Sequence, residues 1–166
     1  MRLFIAIHFS DEVKRVLLHA TEDIRRRALS GRFTRPENLH LTLAFIGESD
    51  DVAAIRQAVD RSAVPPFDLT VGGFGHFGNL YWVGIRPDPI LSGLAERLQS
   101  ALRESGFDIE RRAFKPHITV ARKVAASASL HIDVPETGMT VERLSLMKSD
   151  RPGGRLTYTE VYGRPL

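Results

Sequence analysis

The chain contains no cysteine. That excludes disulfides, thiolate nucleophiles and any cysteine-held zinc or iron–sulfur site. No apolar run approaches the roughly 18 residues that a membrane-spanning helix needs. The apolar opening, Met1 to Phe9, is too short for a signal peptide and lacks a small-residue cleavage site, so it is expected to be a buried first strand. These absences point to a cytoplasmic protein without a membrane partner. The histidines include no H-x-H or H-x-x-x-H pair, so nothing positive suggests a metal, and no cofactor is expected. Low-complexity stretches and long linkers are also missing. The 166 residues are therefore expected to form a single two-lobed domain, 1–166.

What the chain does have is ordinary globular composition, 43% hydrophobic and 26% charged, with a net charge of +3. Arginine carries most of the positive charge. Arg25-Arg26-Arg27 sits on a helical pattern and reads as a solvated face. Arg32 with Arg35, and Arg111-Arg112 with Lys115, lie close to the motifs described below and suit a polyanion such as RNA.

The apolar periodicity predicts strands at about residues 3–9, 39–46, 67–72, 80–85, 117–122, 139–148 and 156–162. Helices are expected from Ser10-Asp11 to Ser30-Gly31, over about 50–62, and over about 88–104. Gly72 to Asn79 has the composition of a phosphate loop but not its G-x-x-x-x-G-K-[ST] pattern, and is expected to be a hairpin connection. The fold class that follows is α+β: a duplicated unit with a groove between its lobes.

Two segments carry the chemistry. His40-Leu41-Thr42-Leu43-Ala44 is echoed in the second half by His117-Ile118-Thr119-Val120-Ala121. Side chains alternate along a strand, so each His shares a face with the Thr two residues on, while the aliphatic residues share the other. Two imidazoles on opposite sides of a phosphorus suit in-line displacement, one taking a proton and the other giving one near neutral pH. The hydroxyls of Thr42 and Thr119 are placed to stabilise charge on the phosphate oxygens. Arg122, five residues after His117, falls on the opposite nominal face and needs a strand end or a bulge to reach the same anion.

The wider strings Arg35-Pro36-Glu37-Asn38-Leu39-His40-Leu41-Thr42-Leu43-Ala44-Phe45-Ile46-Gly47 and Phe114-Lys115-Pro116-His117-Ile118-Thr119-Val120-Ala121-Arg122 resemble the two-histidine (2H) phosphoesterase superfamily. Within it they look like the RNA 2′,3′-cyclic phosphodiesterases, also called 2′-5′ RNA ligases. The resemblance continues in Arg2 to Ile7, Leu80 to Gly84 and Gly153 to Tyr158. It implies a bilobal α+β fold of pseudo-twofold symmetry, with antiparallel sheets lining a central cleft and helices packed outside. It implies metal-independent hydrolysis of RNA 2′,3′-cyclic phosphate ends to 2′-phosphates, with His117 as the base and His40 as the acid. Thr42, Thr119 and Arg122 would bind the phosphate.

The implied partners are RNAs with such ends, tRNA halves among them, and the implied state is a monomer. Joining the cyclic phosphate to a 5′-hydroxyl through a 2′-5′ bond is the same displacement with another nucleophile. The alternatives are a small cyclic nucleotide or ADP-ribose-type substrate, and a noncatalytic RNA-binding protein. His8 faces either the cleft or solvent; His19, His76 and His131 are expected to be incidental. Phe45, Phe74, Phe77 and Phe114 are each expected to pack in the core, with Phe114 the first of them to consider for stacking on a base.

Overall fold

The Leu3, Ile5, Ile7 side of the first strand and its Phe4, Ala6 side are both apolar. Strand β1 (Arg2–Ile7) accordingly lies inside the protein, buried on both faces. A computed structural model describes all 166 residues. Helix α1 (Asp11–Arg27) starts where Ser10 accepts from the Val13 amide at 3.3 Å, with acidic residues in its first turn and arginines in its last. Its inward stripe is Val13, Leu17, Ala20 and Ile24.

The chain continues through β2 (Ser30–Phe33), a 3₁₀ turn (Pro36–Asn38) and β3 (Leu41–Glu48). Helix α2 (Val52–Ser62) is capped by Asp51, whose carboxylate accepts from the Ala54 amide. Strands β4 (Phe67–Phe77) and β5 (Leu80–Ile85) form a hairpin. Asp88 caps α3 (Pro89–Glu104), which has proline where no amide is needed. Strands β6 (His117–Ala125), β7 (Thr137–Val141), β8 (Arg143–Asp150) and β9 (Thr157–Pro165) complete the chain.

The strands form two antiparallel sheets, ordered β3-β1-β8-β9 and β2-β6-β5-β4-β7. The duplication is visible in them. β1-α1-β3 and β5-α3-β6 are the same unit: two antiparallel neighbours joined across a helix. The helices cross over between sheets. α1 follows β1 but packs on β2, β6 and β7, whereas α3 follows β5 but packs on β3. One continuous core therefore includes Ile5 of the first sheet and Ile118 of the second.

Four expectations need correction. α1 ends at Arg27 rather than at Ser30-Gly31, because Leu29 already donates to the Ala125 carbonyl and starts an edge strand. That strand, β2, is not among the strands the sequence predicts. The glycine-rich stretch is mostly strand: β4 continues to Phe77, and only Gly78-Asn79 forms the turn. Finally, the strand expected at 139–148 is two strands. The chain passes from the second sheet to the first at Glu142.

Gly75 shows why glycines lie inside β4. It pairs with Trp82, and a Cβ there would come within 2.3 Å of the indole ring. Gly75→Ala should destabilise the fold by about 1–3 kcal/mol through overpacking. Because Trp82 is the only tryptophan, its fluorescence should shift to the red in the folded variant. Urea unfolding followed by that emission checks both outcomes.

Candidate active site

Each histidine motif needs three side chains on one face, and simple strand alternation supplies only two. The register shows how the third arrives. Between β1 and β3, Ala6 pairs with Thr42 and Ile5 with Ala44, leaving Leu43 unpaired. Between β5 and β6, Trp82 pairs with Thr119 and Tyr81 with Ala121, leaving Val120 unpaired. A β-bulge thus follows the threonine in both copies and reverses the alternation beyond it. Leu43-Ala44 and Val120-Ala121 are consecutive buried pairs, and the next residue in each strand, Phe45 or Arg122, is exposed. Arg122 therefore joins His117 and Thr119 on the cleft side, and Phe45 joins His40 and Thr42.

The bulged carbonyls do not go unsatisfied. Gln99 of α3 donates its side-chain amide to the Leu43 oxygen at 2.9 Å. The Thr34 backbone amide donates to the Val120 oxygen at 2.9 Å, and its hydroxyl to the Thr119 oxygen at 3.0 Å. These bonds hold both bulges open at little cost, since a buried unpaired carbonyl would be expensive.

The cleft has a volume of about 1050 Å³, and His40, Thr42, His117, Thr119 and Arg122 all line it. Both imidazoles are held in the same way. His40 Nδ1 donates to the Asn38 carbonyl at 2.7 Å, and His117 Nδ1 donates to the Lys115 carbonyl at 2.8 Å. In the neutral ring this puts the proton on Nδ1 and leaves the Nε2 lone pair free. His40 Nε2 lies 3.0 Å from the Thr42 hydroxyl, which donates to it in that form.

The surroundings of the two rings differ. His40 lies between Phe4 (4.9 Å between ring centroids) and Tyr158 (5.1 Å). His117 touches Phe77 edge-on at 5.5 Å, with Trp82 at 6.5 Å. Burial lowers the His40 pKa most; the Asn38 carbonyl raises it, and nearby His8 and Arg122 lower it again. Burial raises the Tyr158 pKa, so its phenol remains a proton-bearing donor beside the cleft.

The rim is basic. Arg35 and Arg155 share Glu37, and Arg112 pairs with Glu110. By contrast, Arg32, Lys115, Arg122 and Arg151 line the cleft without an ion pair. Arg32 and Arg122 are direct cross-strand partners on β2 and β6. Like charges placed opposite one another repel, and a bound anion relieves that repulsion.

Sequence reasoning had noted Arg32 only as part of a basic cluster, since β2 itself was not expected. It missed Tyr158 as a neighbour of His40, because the partner strand lies at the far end of the chain. Phe45 and Phe77, 49% and 53% exposed, are freer to meet a base than Phe114, which lines the cleft but also packs on the core. Phe74 packs against Tyr81. Arg25 and Arg26 pair with Glu22 and Asp23 on the outer face of α1. His76 and His131 bond locally at the surface.

Known proteins resemble this chain in sequence and fold. The profile of the 2′-5′ RNA ligase superfamily matches residues 12–153. The RNA 2′,3′-cyclic phosphodiesterase of Thermotoga maritima is 36% identical over 131 residues, covering 74% of this chain and 70% of that protein. The Escherichia coli protein of the same name is 34% identical over 169 residues, covering 95% and 92%. The crystal structure of Escherichia coli LigT complexed with 3′-AMP has a TM-score of 0.88 at 31% identity, covering 99% of this chain and 97% of that one. With a family profile spanning most of its length and relatives matching nearly end to end, the chain belongs to the 2′-5′ RNA ligase superfamily.

Proposed function

We propose that this protein hydrolyses RNA 2′,3′-cyclic phosphate ends to 2′-phosphates, with His117 as general base and His40 as general acid. The observation that carries this is the matched pair of imidazoles, each locked through Nδ1 to a backbone carbonyl and each lining the same basic cleft. Relatives named RNA 2′,3′-cyclic phosphodiesterase supply the substrate class.

In the reaction, His117 Nε2 takes a proton from water and the water oxygen bonds to phosphorus. The bond from phosphorus to O3′ breaks, and O3′ leaves with the proton from His40 Nε2. The phosphate remains on O2′. Thr42, Thr119 and Arg122 hold its non-bridging oxygens, with Arg32 as a further cation beside Arg122. A 5′-hydroxyl in place of water yields a 2′-5′ linkage by the same movements.

Burial disfavours the charged form of His40 in the empty cleft. The phosphate anion opposes this, so substrate binding draws a proton onto the acid. Residues 1–166 act as one two-lobed domain, because exchanged helices and a shared core tie the lobes together. No helix is long and apolar enough to cross a membrane. A monomer acting in the cytoplasm on RNAs such as tRNA halves fits this design.

The test is an oligonucleotide with a 2′,3′-cyclic phosphate, incubated in EDTA and analysed for product. A 2′-phosphate is expected; a 3′-phosphate or loss of activity in EDTA would refute the mechanism. His40→Ala and His117→Ala should each lower kcat about 10²–10⁴-fold with the urea midpoint little changed. The plot of kcat/KM against pH should be bell-shaped. It requires protonated His40, whose pKa burial lowers, so the free enzyme loses that proton at a lower pH than an ordinary imidazole, of pKa about 6.5, would. A profile flat between about pH 5 and 8 would remove the histidine pair from the rate-limiting chemistry.

A further inference from the structure

The two halves of the cleft are not equal opposite their histidines. In the second half, His117 is paired across the ladder with Gly84. A side chain is blocked there: a Cβ on Gly84 would lie 2.7 Å from the Gly72 carbonyl oxygen. In the first half the ladder runs Ala6 opposite Thr42 and Ile7 opposite Leu41. One residue further, the same register sets His8 opposite His40. Just past the end of β1, His8 continues the side that carries Phe4 and Ala6, and the Phe4 ring lies against His40. The place empty beside the base is thus filled beside the acid by another imidazole.

His8 is half-buried, and its Nε2 donates to the Met147 Sδ at 3.3 Å. That bond fixes its proton on Nε2 in the neutral ring. The charged groups around it come from every neighbouring element: Glu160 on β9, Arg143 on β8 and Lys14 on α1, with His40 just before the start of β3. Glu160 is itself engaged by Arg143 and by the buried Ser145 hydroxyl, which limits the charge it offers to His8.

We infer that His8 is a positioning residue that sets when His40 carries its proton. The inference rests on the two-histidine assignment made above. No hydrogen bond links the rings, so the influence is electrostatic. Two imidazoles opposite each other resist being charged together, and they take up protons as a coupled pair. Charge on His8 therefore opposes charge on His40 in the empty cleft. His117, facing a glycine, has no such partner. The device makes two copies of one motif unequal, and it leaves the arriving phosphate to complete protonation of the acid.

NMR titration of the histidine ring signals tests this in the unliganded protein, with wild type, His8→Gln and His8→Asp compared at equal urea stability. In wild type, His40 should titrate over a broadened range. His8→Gln should give a single-site curve with a higher midpoint, and His8→Asp should raise it further while the His117 midpoint stays fixed. The expected displacement is roughly 0.5–2 pH units, the span between bulk-water and protein-surface screening for charges at the spacing of directly opposed cross-strand residues, about 5–6 Å. At alkaline pH, kcat/KM on a cyclic phosphate oligonucleotide should rise in the same order. An unchanged His40 midpoint in both variants, or an equal shift at His117, would overturn the inference. Titration needs no substrate, so a protein inactive on RNA would sink the functional proposal and leave this test standing.

Discussion

A strand has a side-chain period of two, and this cleft requires a spacing that the period forbids. His, Thr and the residue three beyond the Thr must all face inward, in both halves. One unpaired residue, Leu43 or Val120, solves the problem by shifting the alternation at the place where it is needed. The cost of a bulge is a carbonyl taken out of the ladder, and much of the surrounding architecture answers that cost. In the first half the answer is Gln99 from α3, reaching over the edge of the sheet. In the second it is Thr34, at the end of β2. The small extra strand thus has a clear physical role: it closes the ladder beside β6 where the bulge left a gap, and it brings Arg32 alongside Arg122.

The crossed helices do for the lobes what the bulges do for the strands. A helix packed on its own sheet would allow each half to form its own core and the cleft to open freely. Here α1 lies on the second sheet and α3 on the first. Widening the cleft would then pull apart buried apolar surface in both directions, so the separation of the two histidine strands is fixed by core packing. Preorganisation of that kind is what acid–base catalysis on a small phosphate needs, because the two imidazoles must meet opposite sides of one phosphorus.

Much of this was legible in sequence. The continuous apolar run of Leu3 to Ile7, the alternation of Leu80 to Ile85, the helix start at Ser10-Asp11 and the repeated H-x-T segments are local signals that tertiary structure had no reason to override. The failures share a cause. β2 is four residues long and gains its strand character only by pairing with β6. The glycines of β4 look like a loop until the Trp82 ring is seen lying on Gly75. The sheet change at Glu142 breaks no local pattern. The bulges leave only two adjacent buried residues as a trace, and an apolar pair within a strand is too common to identify one. In each case the deciding interaction came from a segment distant in the chain.

Duplication supplies two equivalent histidines, whereas hydrolysis of a phosphodiester needs them in opposite protonation states. Equal sites would share protons equally, and much of the protein would carry the wrong pair. The structure departs from symmetry at the positions that bear on this. His40 is enclosed by Phe4 and Tyr158, which raises the cost of charging it. By continuation of the ladder's register it stands opposite His8, whereas His117 pairs with Gly84. The bulge delivers an arginine on one side and a phenylalanine on the other. An acid that is reluctant to hold a proton in the empty cleft becomes charged chiefly when a phosphate is beside it. The same property suits the reverse displacement, in which the group that gave the proton must take it back. The asymmetry is therefore as much a part of the catalytic design as the repeated motif.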